Sequence, residues 1–244
     1  MNGLDSVICP GCHGQLRVTV LEEGVEAQCV EGLIRCARCA QWYPFTRGIA
    51  RLLLPGRLRP NDRSFLERWR ERLPSDLDST AASRPEGDGQ AQVQAAFGHK
   101  WTRQSWWGME GESARVIEEW LLPRYGWKSH EGYDSFFATR RRILDAGAGL
   151  GRETLRMARA SPRAQVYGLE LSECVDEAAS HARTRGAANV QFVQADLMAS
   201  LEEMFRDMFT RMKVGGTDEL VARFTEAPVI PVPVPAALAK ALSR

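Results

Sequence analysis

The chain has 244 residues, 44% of them hydrophobic, and a formal net charge of +1. That is enough for one good core or two smaller ones, and a charge so close to zero gives no global electrostatic reason for a polyanionic partner, so nucleic acid is not indicated. No run approaches the roughly 20 apolar residues that span a bilayer, and MNGLDSVICPGC lacks the basic start and apolar stretch of a secretion signal, so the expectation is a soluble, cytoplasmic protein without a membrane partner.

Residues 1–56 open with alternating patches (LRVTVLEE, VEAQCV, GLIRC) that predict short strands separated by glycine-containing turns. Four of the six cysteines fall here in two CxxC pairs, Cys9 with Cys12 and Cys36 with Cys39, with residues 13–35 between them. In a reducing compartment such pairs point to metal more than to disulfides. A CxxC turn converges two thiolates on one ion, and two turns complete a closed tetrahedral sulfur site, the usual structural arrangement for zinc. Such a site has no open position for a substrate and stabilises a unit too small to fold on its own core. Redox use or chance pairing of the cysteines is the alternative. His13 beside Cys12 is expected to face solvent, and Cys29 and Cys174 are left over.

The stretch GLIRCARCAQWYPFTRGIARLL resembles the second half of the small zinc-ribbon activator subunit that partners tRNA and release-factor methyltransferases. Tyr43-Pro44 and Gly48-Ile49 match that family's pattern, and Ala50 stands where it usually has proline. The resemblance covers about 50 residues and implies a methyltransferase context.

Residues 57–92 begin with a charged, helix-compatible piece, FLERWRERL, and continue as PSDLDSTAASRPEGDGQAQ, which has almost nothing apolar to bury and predicts a flexible linker. Residues 93–140 hold five of the seven tryptophans, and ESARVIEEWLL spaces Ala114, Ile117, Trp120 and Leu121 for the inner face of an amphipathic helix. AAFGHKWTRQSWWGMEGES resembles the Phe-Gly-x-x-Trp segment preceding the core of bacterial class I methyltransferases that carry the same ribbon. There it covers the cofactor site, so Phe97, Trp101 and Trp106 either close a pocket or form plain core.

From Arg141 the chain alternates: RRILDAG, GRETLRMARA, AQVYGLEL, SECVDEAASHARTRG, NVQFVQADL. This rhythm predicts βαβ units and a parallel sheet. Between the first strand and helix lies Asp145-Ala-Gly147-Ala148-Gly149-Leu-Gly151. A strand ending in an acid, then a glycine-rich turn into a helix N-terminus, lets backbone amides approach a ligand closely. The dinucleotide fingerprint G-x-G-x-x-G fails at its third glycine, which falls on Arg152. The spacing present resembles that of doubly wound S-adenosylmethionine-dependent methyltransferases.

That resemblance implies a cofactor-binding set of Asp145, Gly147, Ala148, Gly149, Gly151, Glu170, Leu171, Asp196 and Leu197. Asp145 would face the methionine amino group, Glu170 the two ribose hydroxyls and Asp196 the adenine amine, with the Leu197 amide on a ring nitrogen. The alternatives are ordinary: Asp145 and Asp196 capping the helices that follow, and Glu170 a solvent-facing strand end. Arg152 either pairs with the cofactor carboxylate or lies in solvent. No catalytic residue is identified.

After Asp196 the resembled pattern fails. LMASLEEMFRDMFTRMKVGG repeats Leu201, Met204, Phe205, Met208 and Met212 at helical spacing where a fourth strand belongs, and Pro228, Pro231, Pro233 and Pro235 exclude a central strand in the tail. The expectation is therefore an α/β fold: a doubly wound, mostly parallel Rossmann-like methyltransferase sheet, incomplete, preceded by a small β-rich zinc ribbon. Its divisions are 1–56, 57–92, 93–216 and 217–244. The resemblance implies, as its function, methyl transfer from S-adenosylmethionine to an unidentified acceptor, with structural zinc and with the acceptor site completed by a partner protein, an unusual C-terminus or a longer gene product. The competing reading is an inactive methyltransferase-like scaffold or activator.

Overall fold

In LRVTVLEE the residues that pack inward alternate with exposed ones, as a strand with one buried face requires. This strand, β1 (Leu16–Glu23), pairs antiparallel with β2 (Cys29–Cys36), with Leu16 opposite Cys36 and Val18 opposite Ile34. A computed structural model describes residues 7–24, 29–53, 60–75, 77 and 108–196. The linker from residue 78 onward, the segment holding Phe97, Trp101 and Trp106, Leu197 and the whole tail lie outside the described residues.

β3 (Trp42–Thr46) continues the antiparallel run beside β2, and a two-residue turn at Arg47-Gly48 returns the chain into β4 (Ile49–Leu52). Both turn residues have positive φ, 54° and 77°, the geometry a tight hairpin needs. The Arg47 amide is held by Glu31 Oε1 at 3.1 Å. α1 (Pro60–Trp69) covers one face of this ribbon, burying Phe65 against Leu21, Leu33 and Trp42.

α2 (Gly111–Arg124) and α3 (His130–Ala138) lead into the alternating part. α3 begins where Ser129 Oγ accepts from the Gly132 amide at 3.1 Å. Trp120 is 56% exposed, against the expectation that it faces inward; Leu121 and Leu122 take the buried positions of α2. Then follow β5 (Arg142–Ala146), α4 (Arg152–Ala160), β6 (Gln165–Glu170), α5 (Val175–Thr184) and β7 (Val190–Ala195), in the expected order. β5, β6 and β7 are parallel neighbours.

Among the described residues all seven strands form one sheet, ordered β1-β2-β3-β4-β7-β6-β5. The join is β4 against β7, parallel, with Ala50 opposite Val193, Arg51 opposite Gln194 and Leu52 opposite Ala195. Half the sheet is thus antiparallel and half parallel, and one apolar cluster crosses the join: Cys9, Ile34, Cys36, Tyr43, Phe45, Ala50 and Leu52 with Val193 and Ala195. A second cluster packs α3 and α4 on β5 and β6 around Trp127, Tyr133 and Phe137. No helix among the described residues is long and apolar enough to cross a membrane.

Candidate functional site

The two CxxC turns have the same backbone. The residue after each second cysteine has positive φ, His13 at 59° and Ala40 at 57°, and its amide bonds back to the first cysteine's carbonyl, His13 to Cys9 at 2.8 Å and Ala40 to Cys36 at 3.2 Å. The two turns face each other, so the four sulfurs lie within 4.8 Å of one another. Cys9 and Cys39 Sγ are 3.8 Å apart, Cys12 and Cys36 Sγ 3.4 Å. Zinc–sulfur bonds of about 2.3 Å place tetrahedral sulfurs about 3.8 Å apart, so the cluster fits that ion. Gly14 makes room for it: a Cβ there would sit 2.8 Å from Cys36 Sγ.

The electrostatics favour a cation. Burial raises the Cys36 pKa, but the backbone amides of Cys39 and Arg38 and the Cys12 thiol outweigh it and bring the group down to about 6. Cys39 is pushed up to about 12, first by burial and then by the sulfurs around it. One thiolate suppresses the next, which is the repulsion a dication relieves. Tyr43, buried, sets its hydroxyl 3.3 Å from Cys9 Sγ. His13 is exposed, as expected.

The second constellation sits at the C-terminal ends of β5, β6 and β7. Gly147, Gly149 and Gly151 all have positive φ, 86°, 55° and 80°, which explains glycine at every second position of the loop. The loop leans on β6: the Gly147 and Ala148 amides both donate to the Leu169 carbonyl, at 2.8 and 2.9 Å. A Cβ on Gly149 would meet nothing within 4 Å, so the loop there faces open space.

Glu170 accepts from two backbone amides, Gly149 to Oε2 at 2.9 Å and Ser172 to Oε1 at 2.8 Å, and so locks the glycine loop to the end of β6. It is partly buried rather than a solvated strand end. Each carboxylate oxygen has two acceptor sites, so both retain capacity for a hydroxyl. Asp145 accepts from the buried Thr154 hydroxyl at 2.6 Å. Burial raises its pKa, the Thr154 hydroxyl and amide oppose this, and the Glu170 charge adds to the rise. Asp196 follows β7 directly and is partly buried; Leu171 is likewise half-buried. Asp145, Gly147, Ala148, Gly149, Gly151, Glu170, Leu171 and Asp196 therefore share one end of three adjacent strands.

Arg152 pairs with Glu153 at 3.2 Å and lines a groove of about 560 Å³ between α2, α4 and the turn after α5. That groove includes none of Gly147, Gly149, Glu170 or Asp196. Tyr133 is buried in the aromatic cluster, with the Arg156 guanidinium 4.1 Å from its ring centroid.

The raised Asp145 pKa has a testable consequence. A carboxyl whose folded pKa lies above its unfolded value destabilises the fold at pH 7, and the cost disappears as pH falls below about 3.9, the free value. Asp145→Asn keeps an oxygen for Thr154 and removes the charge. Its melting temperature at pH 7 should exceed that of wild type, with the gain vanishing near pH 4; scanning calorimetry at both pH values checks this.

Residues 139–216 match the family model for a methyltransferase domain. Among solved structures, the chain is similar to the [4+2]-cyclase SpnF at 35% identity (27% of this chain, 27% of that one, TM-score 0.24). It is similar also to the SAH-bound N-terminal domain of EvdMO1 at 25% identity (37% and 48%, TM-score 0.25). Coclaurine N-methyltransferase bound to N-methylheliamine and SAH matches at 17% identity (47% and 39%, TM-score 0.27). The chain spans less than half the length of each of these structures, and the superpositions are local. No curated protein matches the chain.

Sequence reasoning missed Thr154, which donates to Asp145, Gln194, which donates to the Leu171 carbonyl, Arg51, which donates to Gln194, and Phe192, which lies against Gly151. Arg51 was the findable one: a lone arginine inside the apolar run of β4 demands a buried anion.

Proposed function

We propose that the chain is an S-adenosylmethionine-dependent methyltransferase acting on an acceptor still to be identified. What carries the reading is the Glu170 clamp on a loop of three left-handed glycines, inside the segment that matches a methyltransferase domain. S-adenosylmethionine, when bound, supplies a methyl group on a sulfonium sulfur. Every other contribution comes from the protein.

Gly147, Ala148, Gly149 and Gly151 offer a side-chain-free surface where the cofactor lies close to backbone. Glu170 holds the ribose hydroxyls, with Leu171 beside it, and Asp196 with the Leu197 amide reads the adenine edge. Asp145, anchored by Thr154, orients the methionine amino group. The protein's catalytic work is alignment and a field suited to a dispersing positive charge. Groups that align the acceptor come from beyond Asp196 or from a partner protein. In this reading residues 1–56 form a structural zinc ribbon, akin to the methyltransferase-activator subunit, and residues 93–216 the cofactor-binding unit of a cytoplasmic enzyme.

Calorimetric titration of the full chain with S-adenosylhomocysteine tests the reading. One site per chain is expected, and Glu170→Ala should weaken it at least about tenfold, because a hydrogen bond to a charged acceptor is worth about 1.5–3 kcal/mol. Absence of binding to the folded wild type, or equal binding by the variant, overturns it.

A further inference from the structure

Arg51 lies on β4 with 4% of its surface exposed, yet each of its three guanidinium nitrogens donates a hydrogen bond. Nε donates to Thr46 Oγ1 at 2.9 Å; Nη1 donates to Asp176 Oδ2 at 3.1 Å and to Gln194 Oε1 at 3.0 Å; Nη2 donates to Asp176 Oδ1 at 2.6 Å. The carboxylate belongs to α5, the first helix after the Glu170 turn, and the amide belongs to β7. Gln194, itself 4% exposed, then turns its other end to that turn: Nε2 donates to the Leu171 carbonyl at 3.1 Å.

An amide with its oxygen fixed by a guanidinium has its nitrogen fixed too, since the acceptor oxygen and donor nitrogen are coplanar on one carbon and face different ways. Arg51 thereby decides which atom Gln194 presents to Leu171. The Leu171 peptide sits between Glu170 and Ser172, the residue whose amide holds Glu170 Oε1. We propose that Arg51 and Gln194 are positioning residues for the cofactor cleft, a relay by which the cysteine-bearing half of the sheet sets the Glu170–Ser172 turn and so the affinity for the adenosine end of the cofactor. The inference rests on the proposed cofactor site and adds to it a control from outside the methyltransferase-like segment.

A relay and a plain structural brace differ in coupling. If Gln194 acts through the Glu170 turn, its loss costs little once Glu170 is already altered; independent sites add. S-adenosylhomocysteine affinity is measured on four full-length proteins: wild type, Gln194→Met, Glu170→Gln and the double variant. Gln194→Glu serves as a second single variant, because it keeps an acceptor for Arg51, preserving the join, while placing an oxygen against the Leu171 carbonyl. Both position-194 variants should bind about tenfold more weakly, about 1.4 kcal/mol. The double variant should bind within about twofold of Glu170→Gln alone, the margin within which independent losses are resolved from coupled ones.

Unchanged affinity in a folded position-194 variant, or losses that add in full, overturns the relay while leaving the cofactor site standing. A folded wild type that does not bind S-adenosylhomocysteine overturns both.

Discussion

Cys36→Ser is expected to abolish metal retention and unfold the ribbon, while Cys174→Ser keeps about one zinc ion per chain, as a closed four-thiolate site requires. Metal analysis of freshly purified protein and amide exchange over β1 to β4 check this. The size follows from what holds that half of the sheet. Its apolar cluster counts Cys9 and Cys36 among its members, so a metal held there would be tied directly into that core. Structural zinc contributes about 10–16 kcal/mol of apparent binding free energy in comparable units, as much as the whole stability of an ordinary domain, about 5–15 kcal/mol. Without the ion, the clustered sulfurs crowd one another with no compensating charge.

The loss should not stop at the ribbon. Val193 and Ala195 of β7 pack in the same cluster, and β4 supplies the outer hydrogen-bonding partner of β7. Arg51, buried beside Asp176, loses its place when β4 frays, and a buried pair broken on one side costs about 3–5 kcal/mol. Protection of the β7 amides should therefore fall together with that of β4 on chelation. Zinc-free protein with full protection across β1 to β4 would refute the account.

Much of the α/β part was legible because its signals are local. Apolar runs of five or six residues alternating with helical spacing place β5 to β7 and α4 and α5, and the loop between Asp145 and Gly151 states its own backbone requirement. The CxxC spacing likewise announces a shared site without saying how the turns meet. What the sequence leaves silent is non-local. Ile49–Leu52 is four residues long, and its partner Val193–Ala195 lies some 140 positions away in the same numbering, so no pattern within either stretch marks their pairing. Trp120 has the spacing of an inward residue, but Leu122, one position off the idealised stripe, fills the place against Trp127 and Ile143. Glu170 is where the cofactor reading wants it, but its grip on the Gly149 and Ser172 amides follows from the turn geometry of both loops, which composition does not encode.

Gly168→Ala should cost about 2–3 kcal/mol, within the range for forcing an extra group into a filled core, although glycine in a strand is ordinarily worse than alanine by about 0.5–1 kcal/mol. The reversal of sign comes from Phe192. Gly168 and Phe192 are opposite one another on β6 and β7, and the ring, 3% exposed, lies across the glycine. A Cβ at 168 would stand 2.4 Å from Phe192 Cε1 and 2.6 Å from Cδ1, with Ala148 Cβ 3.2 Å away on another side. The same edge of the ring also faces Gly151, where a Cβ would be 2.8 Å from Cζ and 3.3 Å from Cε1. One phenyl group thus occupies the side-chain space of two glycines, one in the strand and one in the glycine loop. Gly151 caps α4 at a φ of 80°, so the ring links β6 to the start of that helix. Urea unfolding of Gly168→Ala, Phe192→Leu and the pair gives the coupling: the double variant should be more stable than the sum of its parts by about 1 kcal/mol or more, as for residues in direct contact. Additive losses, or a Gly168→Ala variant as stable as wild type, would show that the ring does not bind strand and loop together.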